Sequence, residues 1–490
     1  MAKARYWLSR GLFLRGLGLV YAVAFLSLAA QARGLFGTRG LLPIGAFLTL
    51  QRDAAGALAP LRLPSLFWLD ASDGMLLAVA LCGLAAGVAL VLGCASVVAT
   101  FVAWLCYLSF VTTGQVFTAH PCDLLLLEAG FLALLSSPSL AVAPRFAPPL
   151  PVVFLFRWLL FRVLVGAGIG RLHGDPCWGS LTCLPDYLET ESSPTSIALL
   201  VHALPMPLHR VLGFVALFAE LVVPLGYFGP RRVRHVAGAV TIVVSVASLL
   251  TTNDGFSSLL VVVLSVWCFD DALVEKLPFV REWLGDSDES PGRRTLLGLQ
   301  VTAAALVVAS LLEMPRTFSP AFGDRPSLEP FHLVNVYGVV EPVERTRSEI
   351  VFEGTWDDVA REPAHWLEYG LPCAPGDPMR APCAPSPYLR RLDSRLREAS
   401  LGDFRREPWV IRVVDDLLRE NPAVLGLFSK DPFAGKPPRF VRAERYVYRF
   451  ARSGEPGYWH RELVEDYVRP FSLKDPALFE FLFRKGWLRK

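Results

Sequence analysis

The chain is short of charge. Of its 490 residues, 19% are Asp, Glu, Lys or Arg against 53% hydrophobic, and the formal net charge is only +3. A soluble globular protein carries nearer a quarter charged residues, so an ordinary soluble domain does not fit. A charge of +3, with no basic stretch interleaved with aromatics, sets nucleic acid aside. Motifs are missing too. There is no C-x-x-C, no H-E-x-x-H and no G-x-S-x-G. The eight histidines are scattered, with none at zinc-ligand spacing. The expectation is therefore no catalytic residue, no metal and no cofactor. Asn253, Asn335 and Asn421 all fail the N-x-S/T pattern, so no glycosylation acceptor is present.

Long apolar runs are abundant, and mean hydropathy is +0.41. Stretches near 18 apolar residues suffice to cross a bilayer core. Nine spans are predicted, at about 12–30, a pair within the uncharged run Gly74–Asp123, then 123–138, 151–170, 211–229, 235–251, 256–269 and 295–313. The uncharged run is too long for one crossing, and Gly93-Cys94-Ala95-Ser96 marks its turn. The amino-terminal stretch is read as the first span rather than a signal peptide, because its apolar part is long, is interrupted by Arg15 and precedes no small-residue cleavage site. Lys3, Arg5 and Arg10 place the amino terminus in the cytoplasm under the positive-inside rule. Nine crossings then put Arg231, Arg232, Arg234, Lys276, Arg281, Arg293 and Arg294 on the same side. The 31–73 loop falls outside despite its arginines. So do the 171–210 loop and everything after residue 314.

After residue 314 the composition changes. "FHLVNVYGVV", "RSEIVFEGTW" and "RFVRAERYVYRFA" have the β-branched and aromatic content of strands, while 386–400 and 407–420 show helical spacing. The expected architecture is a polytopic α-helical membrane domain of about nine transmembrane helices over 1–313. A non-cytoplasmic α+β domain with a mostly antiparallel sheet follows over 314–490. Eight tail aromatics, Trp356, Trp366, Tyr369, Tyr388, Trp409, Tyr446, Tyr448 and Trp459, belong either to a sheet core or to a binding face.

Nine cysteines divide into two groups. Cys82, Cys94, Cys106, Cys122 and Cys268 lie in or beside apolar stretches and read as small hydrophobes. Cys177 with Cys183, and Cys373 with Cys383, form local pairs in polar Pro/Gly-rich sequence on the non-cytoplasmic side, where disulfides persist. Within the spans, Glu128, Arg157, Arg162 and Glu220 form an expected intramembrane polar network, because an unpaired Arg at a helix centre costs roughly 2.5–3.5 kcal/mol on insertion scales. At the mouth of the fifth span, His173 and Asp175 precede the first cysteine pair and Trp178 lies between its two cysteines. Gly166 and Gly170 read as a close helix-packing pair.

Several segments resemble the lipase maturation factor family. They are "YWLSRGLFLRGLGLVYAVAFLSLAAQ", "FRWLLFRVLVGAGIGRLHGDPCWGSLTCL", "AELVVP", "GPRRVRHVAG", "RSEIVFEGTWDD", "CAPGDPMRAPCAPSPYLRRLD", "LGLFSKDPFAGKPPRFVRAERYVYRF" and "YWHREL". The resemblance implies a membrane-anchored factor that helps a secreted client protein, a lipase, to fold and assemble. It also implies a luminal carboxy-terminal domain in the endoplasmic reticulum. Missing sequons and scarce lysines suit a bacterial member, with the tail in the periplasm. After Cys183 the family's His/Tyr-rich run is thinned, leaving Asp186, Tyr187, Glu189 and Thr190. The membrane part is also similar to the wider group containing vitamin K-dependent carboxylase. That leaves an alternative reading, a membrane-embedded enzyme in which the four intramembrane charges line a pocket.

Overall fold

The computed structural model describes residues 5–136, 147–276, 293–314, 330–338, 340, 342–358, 364–433 and 435–487. Among the described residues, seven helices are long and apolar enough to cross a membrane: Trp7–Phe36, Asp73–Leu92, Ser96–Thr113, Leu150–Gly174, Met206–Phe228, Arg231–Thr251 and Leu296–Glu313. Two further helices, Pro121–Leu135 and Ser257–Ser265, are shorter and lie largely buried among the others. These nine fall at the nine predicted positions, but only seven reach spanning length among the described residues, because α-helices of 15 and 9 residues are too short for the bilayer core. We label the membrane-part helices α1 (Trp7–Phe36), α2 (Ile44–Ala55), α3 (Asp73–Leu92), α4 (Ser96–Thr113), α5 (Pro121–Leu135), α6 (Leu150–Gly174), α7 (Met206–Leu221), α8 (Arg231–Thr251), α9 (Ser257–Ser265) and α10 (Arg293–Glu313).

The uncharged run folds as the expected hairpin of α3 and α4. Gly93 takes the left-handed conformation at φ 75°. Its N–H bonds Leu90 O at 3.0 Å and the Cys94 N–H bonds Ala89 O at 2.8 Å, a Schellman closure of the last carbonyls of α3. Helix α1 packs against α3 where Gly18 meets Gly87. A Cβ on Gly18 would lie 2.7 Å from Gly87 O, so only hydrogen fits. Close backbone approach through small residues is how helices associate in lipid, where no hydrophobic force drives them together.

Contacts sort the bundle into two ends. At one end, the Trp7 and Leu8 N–H groups donate to Asp271 at 2.8 and 2.9 Å, Arg231 donates to Asp270 at 2.6 and 2.8 Å, and Arg10 donates to Ser136 O at 3.1 Å. At the other end, Gln31, Phe117, Asp123, Thr195 and Asn253 all contact the tail.

The tail holds a four-stranded, fully antiparallel sheet, β1 (Arg347–Thr355), β2 (Leu367–Glu368), β3 (Phe440–Phe450) and β4 (Trp459–Phe471), in the order β2-β1-β3-β4. The predicted strands over 347–356 and 439–451 are β1 and β3. The predicted helices are α11 (Arg391–Ala399) and α12 (Trp409–Leu418), and a last helix, α13 (Pro476–Arg484), follows the sheet. "FHLVNVYGVV" is a correction: its described residues form no ladder, because their polar groups are drawn into the bundle.

One apolar core runs without a break from bundle to tail, with Phe117 and Trp409 rings 5.2 Å apart across the joint. Within it, Arg391 donates to both oxygens of Asp123 at 2.8 Å each and to Phe117 O at 2.8 Å. Tyr107 donates to the same carboxylate. Both charged side chains are essentially inaccessible, at 1% and 0% exposure. Burial alone would lower the Arg391 guanidinium, but the charge of Asp123 overrides it and holds the group above its ordinary value.

The pair makes a definite expectation. Arg391→Met leaves Asp123 buried without its cation and lowers unfolding stability by about 3–5 kcal/mol. The double variant Asp123→Leu/Arg391→Met recovers most of the loss, because no charge is left buried. Thermal or denaturant midpoints of the full-length protein in detergent check this. A single variant as stable as wild type would refute the assignment.

Candidate functional site

The four intramembrane charges resolve into three separate places, which corrects the expected single network. Glu128 on α5 pairs directly with Arg162 on α6. Its second oxygen accepts the Asn335 N–H at 3.0 Å, the Asn335 side-chain amide at 3.2 Å and Tyr337 Oη at 2.8 Å. Arg162 in turn donates to Asn335 O at 3.0 Å. The partners thus come from a nonhelical segment of the tail sequence. Space beside the cluster amounts to about 20 Å³, room for about one water.

Glu220 pairs instead with Arg171 at the tail end of α6. The Arg171 guanidinium also contacts two neighbouring rings, 5.0 Å from Trp178 and 5.1 Å from Tyr187. Arg157 pairs with no carboxylate among the described residues. It donates to Trp267 O at 2.9 Å and Tyr6 Oη at 2.8 Å, at the opposite end of the bundle. Gly166 meets the carbonyl of Tyr337, 2.3 Å from a hypothetical Cβ, rather than a neighbouring helix. Gly168 is the residue that approaches α7, at Leu221, while Gly170 is buried on the same helix.

The mouth of α6 is a built structure. Asp175 caps the short helix Pro176–Gly179, accepting the Cys177 N–H at 2.9 Å. It also accepts the Val343 N–H at 3.2 Å and two bonds from Arg345 at 2.9 and 3.0 Å. The backbone bond from Cys177, opposed by partial burial and aided by Arg345, lowers its pKa. Cys177 and Cys183 are bonded, with Cα atoms 5.1 Å apart. Trp178 is buried against Cys183 and Leu217. Asp175, Cys177 and Cys183 lie close enough to resemble a metal cluster. However, the sulfurs are bonded to each other and the carboxylate is taken by Arg345. His173 is exposed, with Nδ1 3.0 Å from Ile169 O of its own helix.

The second pair, Cys373–Cys383, is also bonded, with Cα atoms 5.6 Å apart. Its loop meets the membrane part directly. Thr195 pairs in parallel with Cys383, and the Ser196 N–H donates to Cys383 O at 3.2 Å. The Cys373 N–H donates to Asp393 at 2.6 Å. The five remaining cysteines are unbonded. Cys106, Cys122 and Cys268 are buried as expected, but Cys82 and Cys94 are exposed on the bundle.

Four arginines of the tail, none singled out from sequence, complete the joint. They are Arg345, Arg391, Arg347 and Arg397. Fully buried Arg347 donates to the carbonyls of Glu189 and Ser192 at 3.0 Å each, and to that of Glu191. Arg397 donates to Thr190 O at 3.0 Å. Most tail aromatics belong to packing rather than to a free face. Tyr369, Trp409, Tyr448 and Trp459 are buried, Trp366, Tyr388 and Tyr446 half-buried, and Trp356 exposed. A signal for the arginines exists only in retrospect: Arg391 opens a charged helix and has no acid at i±3 or i±4, so nothing in that helix distinguishes it from its charged neighbours.

The arrangement defines a class: an integral, multi-span membrane protein with an α+β domain locked onto one end of its bundle. Residues 8–276 match the family described as lipase maturation factor transmembrane domain, and residues 333–469 match the lipase maturation factor C-terminal domain. The chain is 35% identical to Lipase maturation factor 1 of Bos taurus over 96% of its own length and 90% of that protein. It is 33% identical to Lipase maturation factor 1 of Homo sapiens, covering 98% of this chain and 90% of that protein. It is 29% identical to Lipase maturation factor 2 of Homo sapiens, covering 99% of this chain and 85% of that protein. No solved structure matches. The chain belongs to the lipase maturation factor family.

A pH dependence follows at the joint. Burial pushes the Asp393 carboxyl up to about 6 from 3.8, against the Cys373 N–H bond that favours its charged form. Between those values the folded state holds the extra proton. Stability therefore falls as pH climbs from about 4 to about 6, by at most roughly 3 kcal/mol, and is flat above. Thermal midpoints between pH 4 and pH 7 should show this slope, and Asp393→Asn should flatten it. An equal slope in wild type and variant would remove Asp393 as its source.

Proposed function

We propose that the protein is a membrane-anchored maturation factor for exported proteins, with a lipase as the client class. The observation that carries this is family membership over nearly the whole chain, at 33–35% identity to two proteins named Lipase maturation factor 1. The geometry suits an anchor. Glu128 and Glu220 are each spent on an arginine within hydrogen-bonding range, which supports structural pairing. The carboxylase-like alternative draws no support from this arrangement, since it needs polar groups left open to a substrate.

The bundle helices hold the tail, and the tail works on the side of the membrane opposite the amino terminus. Arg5, Arg10, Arg231, Arg232, Arg234 and Lys276 belong to the segments gathered at the end away from the tail. The positive-inside rule makes that end cytoplasmic. Two disulfides at the tail end suit an oxidising compartment, periplasm or endoplasmic reticulum lumen. Leu463, Val464, Phe479 and Phe483 are the tail's exposed apolar side chains on β4 and α13, and they are the surface we assign to transient contact with an immature client.

Two measurements test the reading. Cells lacking the gene should secrete lipase of lower specific activity at unchanged transcript level. The variant Leu463→Ser/Val464→Ser should reproduce part of that loss without lowering the factor's own abundance. Lipase activity indifferent to the deletion would end the proposal. Reporter fusions placing both termini in the cytosol would end the orientation.

A further inference from the structure

The 31–73 loop breaks the positive-inside rule. It carries Arg33, Arg39, Arg52 and Arg62 at the end of the bundle that holds the tail. A cavity of about 1060 Å³ opens between this loop and the tail, at the upper end of the range for ligand sites. Its lining carries Arg39 from the loop, Arg412 from α12, Arg419 just after α12, and Lys485 just after α13. One acid, Asp53, lies among them. Arg419 is held by Asp415 at 2.8 Å, and Arg412, almost wholly buried, lies 5.6 Å from the Trp487 ring. Phe47 and Leu50 of α2 add large apolar side chains to the same lining.

The surroundings point to lipid rather than water. Helix α2 begins eight residues after the first span ends, and its loop returns to the membrane at Asp73. Along that loop Leu50, Leu58, Leu61 and Leu69 are all exposed, the last at 81%. Such a run of bare leucines is costly in water and ordinary at the acyl boundary, where short amphipathic helices lie. Trp68 stacks under Arg52, 5.3 Å from the ring centroid, as aromatic and basic side chains do at headgroup level.

We infer that the cavity between α2 and the tail binds the phosphate headgroup of an anionic phospholipid from the adjoining leaflet. Arg39, Arg412, Arg419 and Lys485 surround the phosphate, and an acyl chain runs along Phe47 and Leu50. Clustered basic groups at a membrane face attract anionic lipid, which gives the loop's arginines a role that the topology rule does not. The assignment does not rest on the identity of any client.

The test uses the full-length protein in neutral detergent, offered equal amounts of phosphatidylglycerol and phosphatidylcholine with the same chains. Native mass spectrometry counts what is retained. Phosphatidylglycerol should be preferred, and Arg39→Gln and Lys485→Gln, both at exposed side chains, should each weaken its retention about fivefold. Equal retention of the two lipids overturns the inference, and so does a preference unchanged in the double variant. Millimolar inorganic phosphate that releases all the bound lipid would assign the cavity to a free anion. A glutamate-rich peptide that displaces the lipid at equal concentration would assign it to a protein segment. Either result also overturns the inference. A thermal midpoint within a few degrees of wild type shows that the variants are folded.

Discussion

Arg391 and Asp123 set the terms for the rest of the molecule. Two charges taken out of water attract strongly only when they touch and when their remaining donors and acceptors are filled. Here the fork of the guanidinium meets both carboxylate oxygens, Phe117 O takes a further N–H, and Tyr107 donates to the carboxylate. Such geometry admits one docking position. Arg391 opens the first tail helix, and its own N–H bonds the Gln31 side chain, so the helix starts where α1 ends. The continuous apolar core follows from that constraint. A domain on a loose tether would instead need its own closed core on every face.

The same logic explains the residues that most resemble an active site. The segment around Asn335 runs beside α5 and α6 without helical hydrogen bonds of its own. Irregular backbone at membrane depth survives only where protein satisfies it. Glu128 accepts the Asn335 N–H and Arg162 donates to the Asn335 carbonyl. The ion pair thereby supplies both halves of what a helix would have supplied. Gly166 belongs to this solution, since any side chain there would strike the Tyr337 carbonyl. A buried carboxylate and guanidinium therefore serve the fold without any substrate in the account.

Hydropathy made the bundle legible. Runs of apolar residues report burial in lipid or protein, and the turn at Gly93 is local chemistry. The disulfide partners were legible because each pair closes a short loop in polar sequence. Partners distant in sequence were not. Nothing within a few residues of Arg391 or Arg347 names Asp123 or the carbonyls of Glu189 and Ser192, because pairing across a joint leaves no period to read. One misreading and one omission have physical causes. Residues 331–340 have strand composition, yet their backbone is used by Glu128 and Arg162 instead of a ladder. Strand β4 is crowded with charge, from His460 to Asp466 and again at Arg469, as befits an edge that must not pair with another chain. That charge masked its strand character.

The placement of the two disulfides makes sense on this view. Loops of six and ten residues stabilise by constraining the unfolded chain, about 2–3 kcal/mol each on the entropy model. Their larger effect is on position. Cys177–Cys183 fixes the turn whose Asp175 receives Arg345, and Cys373–Cys383 fixes the loop that Thr195 and Ser196 grip. Neither bond lies within the bundle or the sheet, so both act on the seam between them. Reduction therefore slackens these two contacts of the seam, while the continuous core and the Arg391–Asp123 pair still hold the tail in place. The docking position of the tail thus rests on apolar burial and on Arg391, and the disulfides hold the local turns that meet the membrane part.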